Sequence, residues 1–248
     1  MNDMNTQEKK IGEMVAEDYR TAAVFKNHKI DFCCKGNRSL SEVCEEKNLD
    51  AAAIIEELNT VTKPAEKNTI DFNAWDLDLL TDYIEKKHHR YVEGSIPVLL
   101  QYLNKLCKVH GKQHPELFEI NNEFNECAAA LSAHMKKEEL VLFPFIRKIV
   151  KANITQQPVA APPYGTIQNP IHMMMNEHDT EGERFRKIAQ LSNDYTPPAD
   201  ACGTYKVAFS LLKEFENDLH THIHLENNIL FPKAAQLETK IVNAEVSV

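Results

Sequence analysis

The sequence predicts an all-α protein: a small N-terminal helical domain followed by an up-down-up-down four-helix bundle. Only 7 of the 248 residues are glycine, and the chain has few of the alternating runs of β-branched residues that would indicate strands. Beyond residue 72, four long stretches carry apolar residues at helical spacing, and short or moderate connections join them. Hydrophobic residues make up 43% of the chain, which is enough for a buried core.

A polar stretch with a proline, TVTKPAEKN at 60–68, divides the chain into two parts. We expect a helical domain at 1–60, a linker at 61–71 and the bundle at 72–240. In the first part, short helices are predicted on both sides of the loop KIDFCCKGN. Ser39 and Glu42 form a capping box after this loop, and Asp50 caps the next helix.

The four bundle helices are expected at about 73–106, 116–151, 171–191 and 200–237. Asn73 and Asp200 are residue types that cap helix N-termini, so each indicates a start. Segments that contain proline separate the second helix from the third, and the third from the fourth.

The charge pattern argues against nucleic acid as a partner, because the net charge is -9 and no Lys/Arg cluster is present. The N-terminal residues lack the apolar stretch of a signal peptide, and no run of about 18 apolar residues could cross a bilayer. We therefore expect no membrane partner and a cytoplasmic protein. Six scattered cysteines fit a reducing compartment. Hydrolase and nucleotide-dependent functions lack a supporting motif.

One frame of residues occurs twice, as HMKKEELVLFP (134–144) and HIHLENNILFP (222–232). In each copy a Glu follows a His by four residues, so both side chains lie on one helix face. Apolar neighbours share much of that face and predict that it points inward. Two carboxylates in one core repel each other unless a cation lies between them. The neighbours are Leu131, Val141, Leu142 and Phe145 in the first copy, and Leu219, Ile223, Ile229 and Leu230 in the second.

Two further histidines complete a pseudo-two-fold pattern. His89 precedes His134 by 45 residues, and His178 precedes His222 by 44. Four imidazoles and two glutamates form the ligand set of two metal ions bridged by carboxylates. Nitrogen and oxygen ligands favour iron or manganese, with zinc as an alternative. We expect two non-haem iron ions, with an oxo bridge and open positions for dioxygen or nitric oxide.

The prolines of the two copies have two interpretations. Pro144 and Pro232 each remove a backbone hydrogen bond, and they could bend both helices equally so that the helices converge on the metals. In the alternative interpretation, each proline only begins the end of its helix.

The adjacent cysteines Cys33 and Cys34 also have two interpretations. Neighbouring cysteines chelate one metal poorly and form only a strained disulfide. They are either half-buried loop residues or a dithiol with a redox or iron-transfer role.

At these residues the chain resembles the hemerythrin-like superfamily, and more closely the di-iron proteins that repair iron–sulfur clusters. Those proteins join a small Cys-Cys domain to a hemerythrin-like four-helix bundle. VFKNHKIDFCCKGNRSL (24–40) is similar to their loop, HHRYV to the first metal-binding helix and NEHDTEG to the third. The two copies of the repeated frame match the second and fourth helices, so the resemblance covers nearly the whole chain in order.

The resemblance implies metal ligands and a function. It implies that Glu138 and Glu226 bridge the two metal ions. It also implies that the protein repairs iron–sulfur clusters damaged by nitrosative or oxidative stress by supplying iron. The partners would be damaged iron–sulfur proteins or a cluster scaffold, and the protein could form a homodimer. The implied histidine ligands are His89, His134, His178 and His222.

Two departures separate this chain from oxygen-carrying hemerythrins. Gly182 stands where they place a second histidine on the third helix, and Glu226 follows the last His by four residues where they have an Asp at five. Fewer histidines favour a reactive or iron-releasing centre. Nitric oxide reduction, or sensing of nitric oxide or oxygen, is the alternative function.

The first helix offers two neighbouring histidines. Upstream apolar residues (77, 80 and 84) share the helical phase of His88, whereas downstream ones (92, 96, 100 and 103) share that of His89. The spacing between the second histidine, His89, and Pro97 matches the spacing in the family pattern. We therefore choose His89 as the expected ligand. His220 and His224 lie two residues from His222 and do not share its face, which predicts solvent contacts or contacts around the ligands.

Overall fold

The computed structural model describes residues 6–63 and 70–246, with side chains as far as residue 241. Over these ranges the chain is helical, and its one β-type pairing is an isolated bridge between Lys10 and Ser39. Residues 64–69, the middle of the expected linker, lie outside the described ranges. The all-α prediction is confirmed. No helix within the described ranges is long and apolar enough to span a membrane.

Between residues 11 and 63 the N-terminal part has four short helices, with the Cys-Cys loop between the second and the third. Ser39 accepts a hydrogen bond from the backbone of Glu42, whose side chain accepts from the backbone of Ser39 in return. Asp50 accepts from the first turn of the fourth helix, so both predicted caps are confirmed. The helices are α1 (Ile11–Glu17), α2 (Thr21–Asn27), α3 (Leu40–Lys47) and α4 (Ala51–Val61).

The bundle consists of four long antiparallel helices, three of which contain a π-helical segment. The first runs over 77–110, the second over 116–155 and the fourth over 203–246, while the third has no such segment. The first helix consists of α5 (Leu77–Tyr83), a π-segment (Ile84–His89) and α6 (Arg90–His110), and the second of α7 (Glu116–Lys137), a π-segment (Glu138–Leu142) and α8 (Phe143–Thr155). The third is α9 (Gln168–Leu191). The fourth consists of α10 (Gly203–Leu225), a π-segment (Glu226–Leu230) and α11 (Phe231–Val246).

Two predicted caps of the bundle helices are wrong, because their side chains bond elsewhere. Asn73 lies in a short 3₁₀ turn (Phe72–Ala74), and its amide donates to the carbonyl of Ala16. Asp200 accepts from the His114 ring at 3.1 Å, and the fourth bundle helix begins after it, at Gly203.

The two prolines of the repeated frame directly follow π-segments. The backbone N–H groups of Phe143 and Phe231 donate to the carbonyls of Glu138 and Glu226, five residues back. A proline ring clashes with the carbonyl four residues earlier in a regular α-helix, and the wider π-turn relieves that clash. Both helices continue for more than two turns, so the interpretation that the prolines end them is wrong. The extra residue also turns Val141 outward, contrary to prediction.

The expected metal-binding residues lie between two apolar clusters of the bundle core. Leu80, Ile84 and Phe143 belong to the cluster on one side. Leu103 and Phe124 belong to the cluster on the other side, which continues into the N-terminal part through residues such as Phe25, Ile30 and Leu40. The N-terminal part therefore packs directly on the bundle.

Candidate metal centre

The centre is built around two carboxylates that have no contact with solvent. Glu138 and Glu226 are each 0% exposed and stand at the first position of their π-segments. Both glutamates belong to each of two four-residue groups. Within each group, the ligand atoms lie within 4.8 Å of one another. Because both glutamates are shared, the two groups form one continuous cluster.

The four expected histidines surround these carboxylates through their Nε2 atoms. The first group contains His89 and His222; their Nε2 atoms lie 3.4 Å from Glu138 Oε2 and 3.0 Å from Glu226 Oε1. The second group contains His134, 3.3 Å from Glu138 Oε2, and His178, 3.2 Å from Glu226 Oε2. The structure thus brings together all six residues named from the sequence; their role as ligands stays a prediction.

Several atoms of the cluster are buried without a hydrogen-bond partner. Both oxygens of Glu138, Oε2 of Glu226 and Nε2 of His89 belong to this set. Buried polar atoms are rarely left unsatisfied, because desolvation then has no compensation. Ligand atoms of these three residues lie within 4.8 Å of one another, so a bound cation would satisfy them. Imidazole and carboxylate donors fit iron.

Three of the histidines are held from outside through their Nδ1 atoms. His89 Nδ1 lies 3.0 Å from Glu139 Oε1, His134 Nδ1 2.8 Å from Glu177 Oε2, and His178 Nδ1 2.8 Å from the Asn227 amide oxygen. Such partners fix the ring and the tautomer of metal-binding histidines and leave Nε2 free for the ion.

The charges of these side chains depend on one another. Burial acts to lower the pKa of His134, but Glu138 and Glu177 outweigh it and raise that pKa to about 10. Burial and the charge of Glu226 act to raise the pKa of Glu138, yet His134 and His89 bring it below its ordinary value. The ionised Glu138 carboxylate and the protonated His134 imidazole thus stabilise each other, and a divalent cation would replace that proton.

The neighbouring histidines lie outside both groups. His88 Nδ1 lies 3.0 Å from Asp218, and its ring stacks on that of His222 with 5.6 Å between centroids. His224 is buried, and its Nδ1 lies 3.0 Å from the Asn228 amide nitrogen. His220 is half-buried near Phe32.

Comparison with known proteins places this centre in a family. Residues 80–234, well over half of the chain, match the hemerythrin HHE cation binding domain. Residues 7–62 match ScdA_N, a domain of unknown function, DUF542. The probable iron-sulfur cluster repair protein of Haemophilus influenzae is 32% identical over 231 residues, 93% of this chain and 98% of that protein. The chain belongs to the iron–sulfur cluster repair protein family.

Other members of the repair protein family align equally far. The iron-sulfur cluster repair protein YtfE of Musicola paradisiaca is 32% identical over 237 residues, covering 95% of this chain and all of the relative. The iron-sulfur cluster repair protein ScdA of Staphylococcus epidermidis is 29% identical over 233 residues, covering 94% and 100%. The cation-binding match and the buried His/Glu groups identify the bundle as the metal-binding domain.

The Cys-Cys loop of this repair protein contacts the third bundle helix at the metal centre. Cys34 Sγ lies 3.4 Å from the carbonyl oxygen of His178 and 3.8 Å from Cys33 Sγ. A hydrogen bond with Cys34 and complete burial raise the pKa of Cys33 well above its ordinary value. Cys33 is therefore a protonated thiol that donates to Asp31.

Sequence reasoning missed the residues that support the ligands. Glu139 and Asn227 each directly follow a glutamate of the cluster, and Glu177 directly precedes His178. On a regular helix, neighbours of an inward residue point well away from it, so a polar residue there resembles a solvated one. The π-segments change that direction for Glu139 and Asn227.

Proposed function

We propose that this protein binds two iron ions and supplies iron to iron–sulfur clusters damaged by nitric oxide or peroxide. The observation that carries the proposal is the contact between a buried four-histidine, two-glutamate cluster and a loop with two free thiols. The names of the relatives support cluster repair. The partners would be damaged iron–sulfur proteins or a cluster scaffold.

The proposed ligands divide into two sites with shared bridges. His89 and His222 would hold one ion, His134 and His178 the other, and the two glutamates would bridge them. Bound iron would supply redox and Lewis-acid chemistry. The side chains bind the ions, exclude water and keep each Nε2 atom directed inward. Free thiols throughout the described ranges fit a reducing compartment, so the proposal includes the cytoplasm.

The half-buried Cys34 is the proposed entry to an iron-transfer route. Cys33, Cys34 and Asp31 form a third group with ligand atoms within 4.8 Å, in contact with the helix that carries His178. Thiol and carboxylate donors could accept an iron ion in transit before a partner receives it. A redox role for the two thiols is the alternative within the same proposal.

The test is reactivation of cluster-depleted aconitase by the iron-loaded protein under anaerobic conditions. We expect recovery above that given by an equal amount of ferrous salt. Glu226→Gln should abolish the excess, whereas His172→Ala, at an exposed position on the third bundle helix, should retain it. Recovery no greater than with ferrous salt would overturn the proposed iron supply.

Nitric oxide reduction is the second candidate, and the number of donors favours it. Each group offers two imidazoles and two shared carboxylates, which leaves positions open at an octahedral ion. Release of nitrous oxide over repeated turnovers, measured with a chemical reductant, would support it. A single uptake of nitric oxide without nitrous oxide would favour sensing instead.

A further inference from the structure

The side chain of Asn227 joins the metal centre to the Cys-Cys loop. Its amide nitrogen donates to the carbonyl of Cys33 at 3.2 Å, and its amide oxygen lies 2.8 Å from His178 Nδ1. A carbonyl can only accept, so the amide nitrogen must face Cys33 and the oxygen must face the ring. His178 consequently carries a proton on Nδ1, and its Nε2, 3.0 Å from His134 Nε2, faces the centre of the cluster.

The loop end of this connection is itself held in place. Asp31 accepts hydrogen bonds from the backbones of Cys33 and Cys34, at 3.1 and 2.9 Å. Its second oxygen pairs with Arg186 of the third bundle helix at 2.7 Å. The position of the Cys33 carbonyl therefore follows the position of the whole loop relative to that helix.

A close contact at Gly182 makes the loop position sensitive to a small change. A β-carbon at Gly182 would lie 3.1 Å from Cys34 Sγ, closer than ordinary van der Waals contact. The absence of a side chain thus lets the sulfur approach His178. An added methyl group would require the sulfur to shift by a few tenths of an ångström, and we expect the loop that carries Cys33 to shift with it.

Among the described residues, the other half of the centre has no such connection through a ring nitrogen, although Tyr19 bonds to Thr221, the neighbour of His222. Glu139, which occupies the position equivalent to Asn227, holds His89 and pairs with Lys136 of the same helix. Within the described ranges, the hydrogen bonds and ion pairs of Glu139 join it to bundle residues alone. The N-terminal part can therefore act on the ion of His134 and His178 without acting equally on the ion of His89 and His222.

We propose that Asn227 is the positioning residue through which the Cys-Cys loop sets how firmly His178 holds its metal ion. The inference rests on the proposed function, because it concerns the release of one of two bound irons. Loss of the partner that orients a metal-binding histidine weakens metal affinity by about 10- to 100-fold. Movement of the loop would thereby select one iron for release.

The test measures iron release from the full-length protein, loaded anaerobically with two equivalents of ferrous iron and mixed with a chromogenic ferrous chelator. In Asn227→Ala, one iron per chain should leave at least about 10-fold faster, and the other at the wild-type rate. Gly182→Ala should accelerate the same iron. Gly94→Ala is the matched control, since no atom lies within 4 Å of a β-carbon there.

Two further variants separate positioning from a general loss of structure. Asn227→Asp keeps an acceptor for His178 Nδ1–H, so it should restore near wild-type release and make release insensitive to Gly182→Ala. The double variant of Asn227→Ala with Gly182→Ala should be no faster than Asn227→Ala alone.

Three results would overturn the inference. These are unchanged release from Asn227→Ala, equal acceleration of both irons with a lowered unfolding midpoint, and additive effects in the double variant. A wild-type protein that fails to hold two irons would instead overturn the proposed function, and the inference with it.

Discussion

The backbone N–H of Phe143 donates to the carbonyl of Glu138, five residues earlier. The same bond joins Phe231 to Glu226 in the fourth bundle helix. Each Phe ring also stacks on a histidine of the preceding bundle helix: Phe143 on His89 and Phe231 on His178, with 5.6 and 6.1 Å between centroids. The repeated Leu-Phe-Pro thus places a π-turn and an aromatic ring at each half of the centre.

In the proposed two-ion centre, removal of a glutamate shared by both groups should affect both ions, whereas removal of one histidine should affect one. Glu138 belongs to both groups, but His89 belongs to one. Glu138→Gln should weaken binding of both ions by more than about 100-fold, beyond the usual effect of an outer partner. His89→Ala should leave one ion tightly bound. Metal analysis after dialysis against a chelator measures the number of ions bound per chain.

The neighbouring histidine gives the control for this experiment. His88 is as buried as His89 but bonds to Asp218. His88→Gln should therefore retain two ions per chain. Loss of an ion from His88→Gln, with full retention in His89→Ala, would show that the wrong histidine was assigned.

The stacked phenylalanines should contribute strongly to stability. Phe143 is fully buried against His89 and the apolar cluster beyond it. Phe143→Ala should lower the free energy of unfolding by about 3–5 kcal/mol, whereas Phe143→Leu should cost clearly less. Urea unfolding of the protein without metal measures both. Phe118→Ala, at an exposed position of the second bundle helix, should cost little by comparison.

The pair of His114 and Asp200 should stabilise the far end of the bundle in a pH-dependent manner. The hydrogen bond to Asp200 outweighs partial burial and raises the pKa of His114. A raised folded-state pKa gives stability that is complete below about pH 6.5 and is lost as the pH rises through the raised value. His114→Asn should lower the melting temperature by about 1–2 °C at pH 6 and less at pH 9. Equal losses at both pH values would contradict the electrostatic explanation.

Cys202 should be the most reactive of the described thiols at neutral pH. The backbone of Tyr205 and the ring of His110 bring its pKa to about 7, and its side chain is exposed. Burial raises the pKa of Cys107 and Cys127. Brief treatment with iodoacetamide and peptide mapping should find Cys202 modified first. His110→Ala should slow that modification several-fold at pH 7; an unchanged rate would exclude the role of His110.

The conflicting phase of the first bundle helix shows where sequence reasoning stopped. Apolar residues before the histidines pointed to His88, and those after them to His89. Both patterns are correct, because the π-segment Ile84–His89 adds a residue between them and rotates the downstream face. A helical period assumed constant cannot include that rotation. Only the spacing to Pro97 favoured His89.

Local and repeated signals were sufficient for much of the remaining fold. The caps Ser39 and Asp50 were predicted correctly because their hydrogen bonds stay within one turn. Asn73 and Asp200 were assigned wrongly because distant parts of the chain supplied competing partners. The clustering of the six expected ligands was predictable because the pattern repeats, whereas the contact of Asn227 with Cys33 spans 194 residues and leaves no periodic signal.

The contact of Cys34 with Gly182 also affects whether the bundle can be studied as a separate fragment. A bundle produced without residues 1–62 would lose the sulfur beside His178 and the carbonyl that orients the Asn227 amide. Spectra and redox potentials recorded on such a fragment would describe an altered centre. Truncation is therefore a perturbation of the chemistry itself, and substitutions in the intact chain are the sounder route to the native properties.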